Sequence, residues 1–241
     1  MDIQKFYKEI KSFCKKSADP KLVRKYSRYF KEGYDAYGVD SKILEAEYNK
    51  WIELYGKDLS FNDAKKLGDN LYSSGKYEES ALAMRFFREY KDEYKKKDLD
   101  VIKKWLDKYA TNWAHTDVLS WEIIKIFLQN GIAKYTDLKD WIKSKSTWTR
   151  RAVPVSFIKI LGNEKIQLLL DFVTPLVEDT ERPVHQGIGW FLREAWKKEP
   201  KTVEKFLMKI KDYAPRTIIQ YATEKMSKEE KEKYKAKKLK G

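Results

Sequence analysis

Within the stretch Thr111 to Asp117, a tryptophan and an aspartate stand four residues apart at the expected start of an apolar helix. Residues i and i+4 of a helix share a face. A helix beginning near Trp113 therefore points the indole and the Asp117 carboxylate into the same volume. An aromatic face beside an anion suits something electron-poor or cationic. The same residues also admit an architectural role, with Asp117 capping the helix that follows and Trp113 packed in the core. Two further groups repeat the pairing of an aromatic with a charge. They are Trp148 with Arg150 and Arg151, and Trp190 with Arg193 three residues later, preceded by Gly187 and Gly189, which permit close backbone approach.

These residues need elements to carry them, and helical periodicity runs along the chain, with no Asn-Gly or Asp-Gly hairpin between alternating apolar residues. Ile3, Phe6, Tyr7, Ile10, Phe13 and Cys14 follow helical spacing. Asp19-Pro20 restarts the chain as a cap followed by proline, with a second helix over Leu22 to Phe30. Gly33 to Gly38 reads as a turn, and Asp40 caps a helix to about Tyr55. Further helices are expected over Asn62 to Leu71, Tyr77 to Tyr90, Asp98 to Tyr109 and Thr116 to Leu128.

The second half repeats itself. The offsets are 36 from Trp105 to Trp141, 35 from Trp113 to Trp148 and 34 from Ile124 to Ile158, with a weaker third copy running from Val184 to Phe206. A two-helix unit at this period, without the tetratricopeptide signature, is expected to form an all-α, HEAT-like superhelix with a concave surface. At an offset of 34, Asp117 corresponds to Arg151, so a carboxylate and a guanidinium take equivalent places in successive units. That could be an ordinary inter-repeat ion pair. The surrounding tryptophans favour a binding surface.

Fifty-one Lys and Arg against 37 Asp and Glu give a formal net charge of +14 in 241 residues. So basic a balance favours a polyanion, with nucleic acid ahead of an anionic membrane surface. Met1 to Lys16 is charged throughout and no apolar run reaches a membrane span, so a cytoplasmic protein is expected. One cysteine, Cys14, excludes an intramolecular disulfide and a Cys-based zinc cluster, and two histidines leave little for a His-rich site. No metal or cofactor is expected. The chain reads as one domain, residues 1–241, with a charged helical tail from about 225 onward, and as a monomer.

Three segments together resemble the DNA alkylation repair family of HEAT-like alkylpurine DNA glycosylases. They are Asn112-Trp113-Ala114-His115-Thr116-Asp117, Trp148-Thr149-Arg150-Arg151-Ala152-Val153 and Ile188-Gly189-Trp190-Phe191-Leu192-Arg193-Glu194. The interval of 39 from Arg151 to Trp190 fits that family, and Tyr26 to Val39 is similar to its N-terminal segment. The resemblance implies a monofunctional glycosylase acting on duplex DNA that bears N3- or N7-alkylated purines, with the lesion left stacked. It implies Asp117 as the catalytic carboxylate, Trp113 and Trp190 on the deoxyribose and backbone, and Arg151 on phosphate. Arg150, Trp148, Arg193 and Tyr26 would be additional DNA contacts. Alkylation makes the base cationic and the transition state oxocarbenium-like, which an anion and π faces stabilise. His115 is read as a neutral structural residue, and Pro154 as a kink in the helix bearing Arg151.

Two other classes compete. One is a non-catalytic relative that binds DNA structure or branched DNA, and the other is a protein-binding helical scaffold. A carboxylate beside phosphate repels, so Asp117 next to Trp113 favours the glycosylase over a pure DNA binder.

Overall fold

The computed structural model describes residues 1–235, and among these the regular elements are all helices, with no β-strand. The part of the expected C-terminal tail beyond residue 235 lies outside the described residues. Contacts group the chain into two compact units, Met1–Ile123 and the remainder from Ile124.

The first unit holds α1 (Ile3–Lys16), α2 (Pro20–Ser27), α3 (Ser41–Tyr55), α4 (Phe61–Ser73), α5 (Tyr77–Arg88), α6 (Leu99–Lys108) and α7 (Trp113–Leu119). Caps fix several starts: Asp2, Asp19 and Asp40 each accept a backbone N–H, and Ser60 with Asp63 forms a reciprocal capping box. α4 and α5 pack as a pair, α1 lies on both, and α6 packs on α4. Their apolar faces meet in a core of Phe6, Trp51, Tyr72, Phe86, Phe87 and Trp105. Close approach between α4 and α6 depends on Gly68, because a Cβ there would lie 2.5 Å from the Trp105 ring. The buried Trp105 indole is satisfied by donating to Asp69 Oδ1 at 2.8 Å.

The second unit holds α8 (Lys125–Gln129), α9 (Thr147–Phe157), α10 (Ile166–Val173), α11 (Arg182–Trp196), α12 (Pro200–Ile210), α13 (Arg216–Ala222) and α14 (Lys228–Glu232). α11 is its centre, with α9 and α13 packed against it and α12 alongside. Gly189 makes the α13 contact possible, since a Cβ there would stand 2.5 Å from Tyr221 Cβ and 2.9 Å from the Ile218 carbonyl oxygen. Gly187 faces α9 in the same way, 3.3 Å from Arg151 Cγ. Both glycines thus serve helix packing. Ser227 and Glu230 box the start of α14, and Tyr234 is buried beyond its end, so the described part of the tail is anchored.

Two expected helices differ. α2 ends at Ser27 instead of Phe30. Turns from Tyr29 N to Tyr26 O and from Phe30 N to Ser27 O close the chain, and Gly33 follows at φ +113°. Phe30 is drawn out of the helix to stack on Tyr34, with centroids 4.5 Å apart, so tertiary packing prevails over helix propensity. The helix expected over Thr116 to Leu128 instead begins at Trp113, and a π-helical stretch over Ser120–Ile124 separates α7 from α8. Ser120 Oγ donates back to the Thr116 carbonyl at 2.8 Å, a competing bond of the kind that loosens the i to i−4 ladder.

Among the described residues no helix is long and apolar enough to cross a membrane.

Candidate functional site

In the first unit the site grows from Asn112. Its extended backbone and its side chain, accepting from His115 N at 3.1 Å, start α7 at Trp113. Trp113 and Asp117 are therefore the first and fifth residues of one helix and lie on one face, with Asn112, not Asp117, as the cap. Trp113 is 36% exposed, large for an indole in so aromatic a unit, while Asp117 is half-buried. The indole is held at two points. Its N–H donates to the Tyr29 carbonyl at 3.2 Å, and Phe30 stacks on it with centroids 5.1 Å apart and planes 10° from parallel.

The segment carrying Tyr29 and Phe30 is tied to the start of α5. Glu78 is buried, and its carboxylate accepts from Tyr37 N at 2.9 Å, Gly38 N at 2.7 Å and Val39 N at 3.0 Å. Tyr77 N donates to the Asp35 carbonyl at 2.8 Å and the Tyr37 hydroxyl to Glu79 at 2.6 Å. Gly38 sits at φ +79° with a virtual Cβ 2.2 Å from the Asp19 carbonyl oxygen, so the turn needs glycine there. Tyr26, two-fifths exposed, lies outside this clamp near the end of α2, with Lys25 over its ring.

His115 lies on α7 between Trp113 and Asp117 in sequence but faces the interior. It is 1% exposed, stacked against Tyr77 and edge-on to Tyr72. Burial pushes its pKa down to about 4, so the ring is neutral. Among the described residues neither ring nitrogen has a hydrogen-bond partner. A cavity of about 490 Å³, bordered by Tyr48, Tyr77, Arg85, Arg88, Ala114 and His115, runs beside the helix.

In the second unit, Ser146 Oγ caps α9, and Trp148, Arg150 and Arg151 lie in its first turns. Arg151 is the fifth residue of α9, as Asp117 is of α7, which is the equivalence the 34-residue offset predicts. Arg151 is buried and donates to the Pro183 carbonyl at the start of α11 at 2.6 Å. Arg150 is committed differently. Its guanidinium grips the Asp179 carboxylate through Nε and Nη2 and also donates to the carbonyls of Ser144 and Lys145. Trp148 and Trp190 are half-buried, the latter on α11. Arg193, one turn on, pairs with Glu194 and Glu224. α9 continues through Pro154, which leaves the Arg150 carbonyl without its ladder donor.

Sequence reasoning missed Phe30, Glu78 and Glu79. Glu78-Glu79 in an amphipathic helix reads as a solvated first turn. No local signal finds them, because the backbone donors that Glu78 accepts lie in the 37–39 turn about 40 residues earlier.

Among known proteins, no curated sequence matches the chain. A solved structure described as a predicted DNA alkylation repair enzyme from Enterococcus faecalis superposes with a TM-score of 0.74 at 15% identity, covering 88% of this chain and 98% of that one. At that identity it establishes the shared fold, a helical repeat. The family described as DNA alkylation repair enzyme matches residues 10–226. The chain belongs to the DNA alkylation repair enzyme family.

Proposed function

We propose that the protein is a monofunctional DNA glycosylase that hydrolyses the N-glycosidic bond of cationic N3- and N7-alkylated purines in duplex DNA. The observation that carries this reading is the placement of an exposed indole and a carboxylate on one face of α7, with the indole's orientation fixed from behind. The alkylated base is a good leaving group because departure neutralises its charge. The sugar left behind is an oxocarbenium-like cation. Asp117 stabilises that cation and orients the attacking water, while the Trp113 face supplies a second, polarisable stabiliser. Water adds at the anomeric carbon, its proton leaves to solvent, and an abasic site and a free purine result. No lysine nucleophile or cofactor enters the scheme.

Trp190 is assigned to the deoxyribose backbone, with Trp148, Arg193 and Tyr26 as further DNA contacts, and Arg151, buried and donating to the Pro183 carbonyl, would reach phosphate only by leaving that partner. Arg150 would reach phosphate only by giving up Asp179, so its role is assigned to holding α9 and the loop before it. The formal charge of +14 supports duplex DNA as the partner. A HEAT-like register, a monomeric state and a cytoplasmic setting belong to the same reading.

The test is release of free 7-methylguanine and 3-methyladenine from methylated duplex by the parent protein and by Asp117→Asn. Release that falls at least about a hundredfold in Asp117→Asn, with duplex affinity retained, is expected. Equal release by the two proteins removes Asp117 from the chemistry. Salt-sensitive binding without release by either would mark a non-catalytic binder of DNA structure. The lesion is assigned to the stacked state, since its lability makes extrusion unnecessary. A base would nevertheless fit the cavity beside α7, so 2-aminopurine fluorescence next to the lesion provides a separate check, and a marked rise on binding would overturn the stacked assignment.

A further inference from the structure

Trp113 can act on a sugar only if its ring plane is set before DNA arrives, and α7 alone does not set it. The residue is the first of its helix, where neighbours on the preceding turn are absent and an exposed indole has several rotamers open to it. The restraint comes instead from the chain between α2 and α3. The Tyr29 carbonyl takes the indole N–H, and Phe30 covers one face nearly parallel to it. Phe30 is itself backed by Tyr34, stacked at 4.5 Å and 17°, and by Tyr77, edge-on at 6.0 Å. Behind that stack, Glu78 collects three backbone N–H groups of residues 37–39 and fastens the far end of the segment to α5. A loop held by so many directed bonds is a rigid support, although it carries no regular structure from Phe30 to Asp40.

From this geometry we infer that Phe30 is a positioning residue, which together with the Tyr29 carbonyl fixes the Trp113 indole as the π wall presented to the deoxyribose. This rests on the glycosylase reading for its chemistry, but the orientation itself is measurable without it. A flat ring behind the indole also stiffens it, since tilting Trp113 would separate two stacked faces. The energetic gain is in preorganisation: the ring need not be ordered when the cation forms.

The experiment combines an orientation readout with a rate. In protein labelled at the tryptophan indole nitrogens, the Trp113 N–H resonance is identified among the eight tryptophans by its loss in Trp113→Phe. Phe30→Leu should shift that resonance through loss of the ring current and a change in the indole's tilt against the Tyr29 carbonyl, whereas Phe30→Tyr should leave it nearly in place. In single-turnover excision of 7-methylguanine, Phe30→Leu should slow the reaction about tenfold with little change in affinity for undamaged duplex, and Phe30→Tyr should restore most of the rate. In a Trp113→Ala background, Phe30→Leu should add almost nothing, because its effect passes through the indole.

An unmoved resonance in Phe30→Leu overturns the inference, and so does an undiminished effect of Phe30→Leu without Trp113. If the parent protein excises nothing, the glycosylase reading fails by itself. The inference is then judged on the resonance and on its further shift when duplex is added: dependence of both on Phe30 supports it, and independence overturns it. Should Phe30→Leu fail to fold, Phe30→Trp replaces it, with a displaced resonance expected.

Discussion

Protonation of His115 should act as a specific acid weakness of the first unit. The ring is 1% exposed, lies between Tyr77 and Tyr72 and finds no acceptor for an added proton among the described residues. Burial holds its pKa at about 4, against an ordinary 6.5. The sign follows from the depression. Between those values the unfolded chain takes up a proton that the folded chain refuses, so stability is full above about pH 6.5 and is lost as pH falls toward 4. At about 1.4 kcal/mol per pH unit, that window amounts to about 3 kcal/mol. Urea unfolding of the parent and His115→Phe at about pH 7 and about pH 5 should show the parent losing about 2 kcal/mol more than the variant. The ring can also be titrated directly by NMR. The chain has two histidines, so the resonance missing from His115→Phe is assigned at once. Titration of that resonance near 6.5 would refute the reasoning. Titration near 4 bears on mechanism, because an inflection near 6.5 in the excision profile would then have to come from a group other than His115.

Removing the Glu78 carboxylate in Glu78→Ala should release the 37–39 turn. With three backbone donors left to water, a local cost of about 3 kcal/mol is expected, read as roughly a hundredfold faster amide exchange at Tyr37, Gly38 and Val39, with α6 unaffected. Gly189→Ala places a methyl 2.5 Å from Tyr221 Cβ and 2.9 Å from a backbone oxygen, which cannot yield without separating α11 from α13. A loss of about 2–3 kcal/mol in urea unfolding of the second unit should follow. Arg150→Ala leaves Asp179 nearly buried without its guanidinium, so it should cost about 3 kcal/mol or more in stability while changing the salt dependence of duplex binding little. A fall in the salt slope by about one, with stability intact, would return Arg150 to the phosphate contacts.

Much of this architecture was legible because helical proteins write their caps and periods into local sequence. Asp19-Pro20, Asp40 and the apolar stripe of α1 each determine an element within a few residues. The site's first pair was legible for the same reason: a spacing of four on a helix is a geometric statement, and it needed only the start of α7. The 34-residue offset likewise placed Asp117 and Arg151 at matching positions in their helices. What surrounds Trp113 was not legible, since it depends on contacts far apart in sequence. Trp113 meets Tyr29 across 84 residues, and Glu78 meets the 37–39 turn across about 40. Phe30 lies in a window that scans as helix, and periodicity, which sees only neighbours, assigns it to α2.

The same distinction separates the arginines. Arg150 and Arg151 are adjacent in sequence, and composition gives no reason to prefer either as a DNA contact. On a helix, however, adjacent residues point about 100° apart, so one backbone start commits them to different surroundings. Ser146 fixes that start, and it turns Arg150 toward Asp179 and Arg151 toward α11, where Gly187 leaves room for its stem. A cap within two turns of both arginines therefore decides which internal partner each guanidinium meets, Asp179 for Arg150 and the Pro183 carbonyl for Arg151. Glu78 makes the corresponding decision in the first unit: its carboxylate ties down the 37–39 turn at the far end of the segment that carries Phe30, the ring stacked on Trp113. In both units the residues that look chemical take their direction from polar groups that look ordinary.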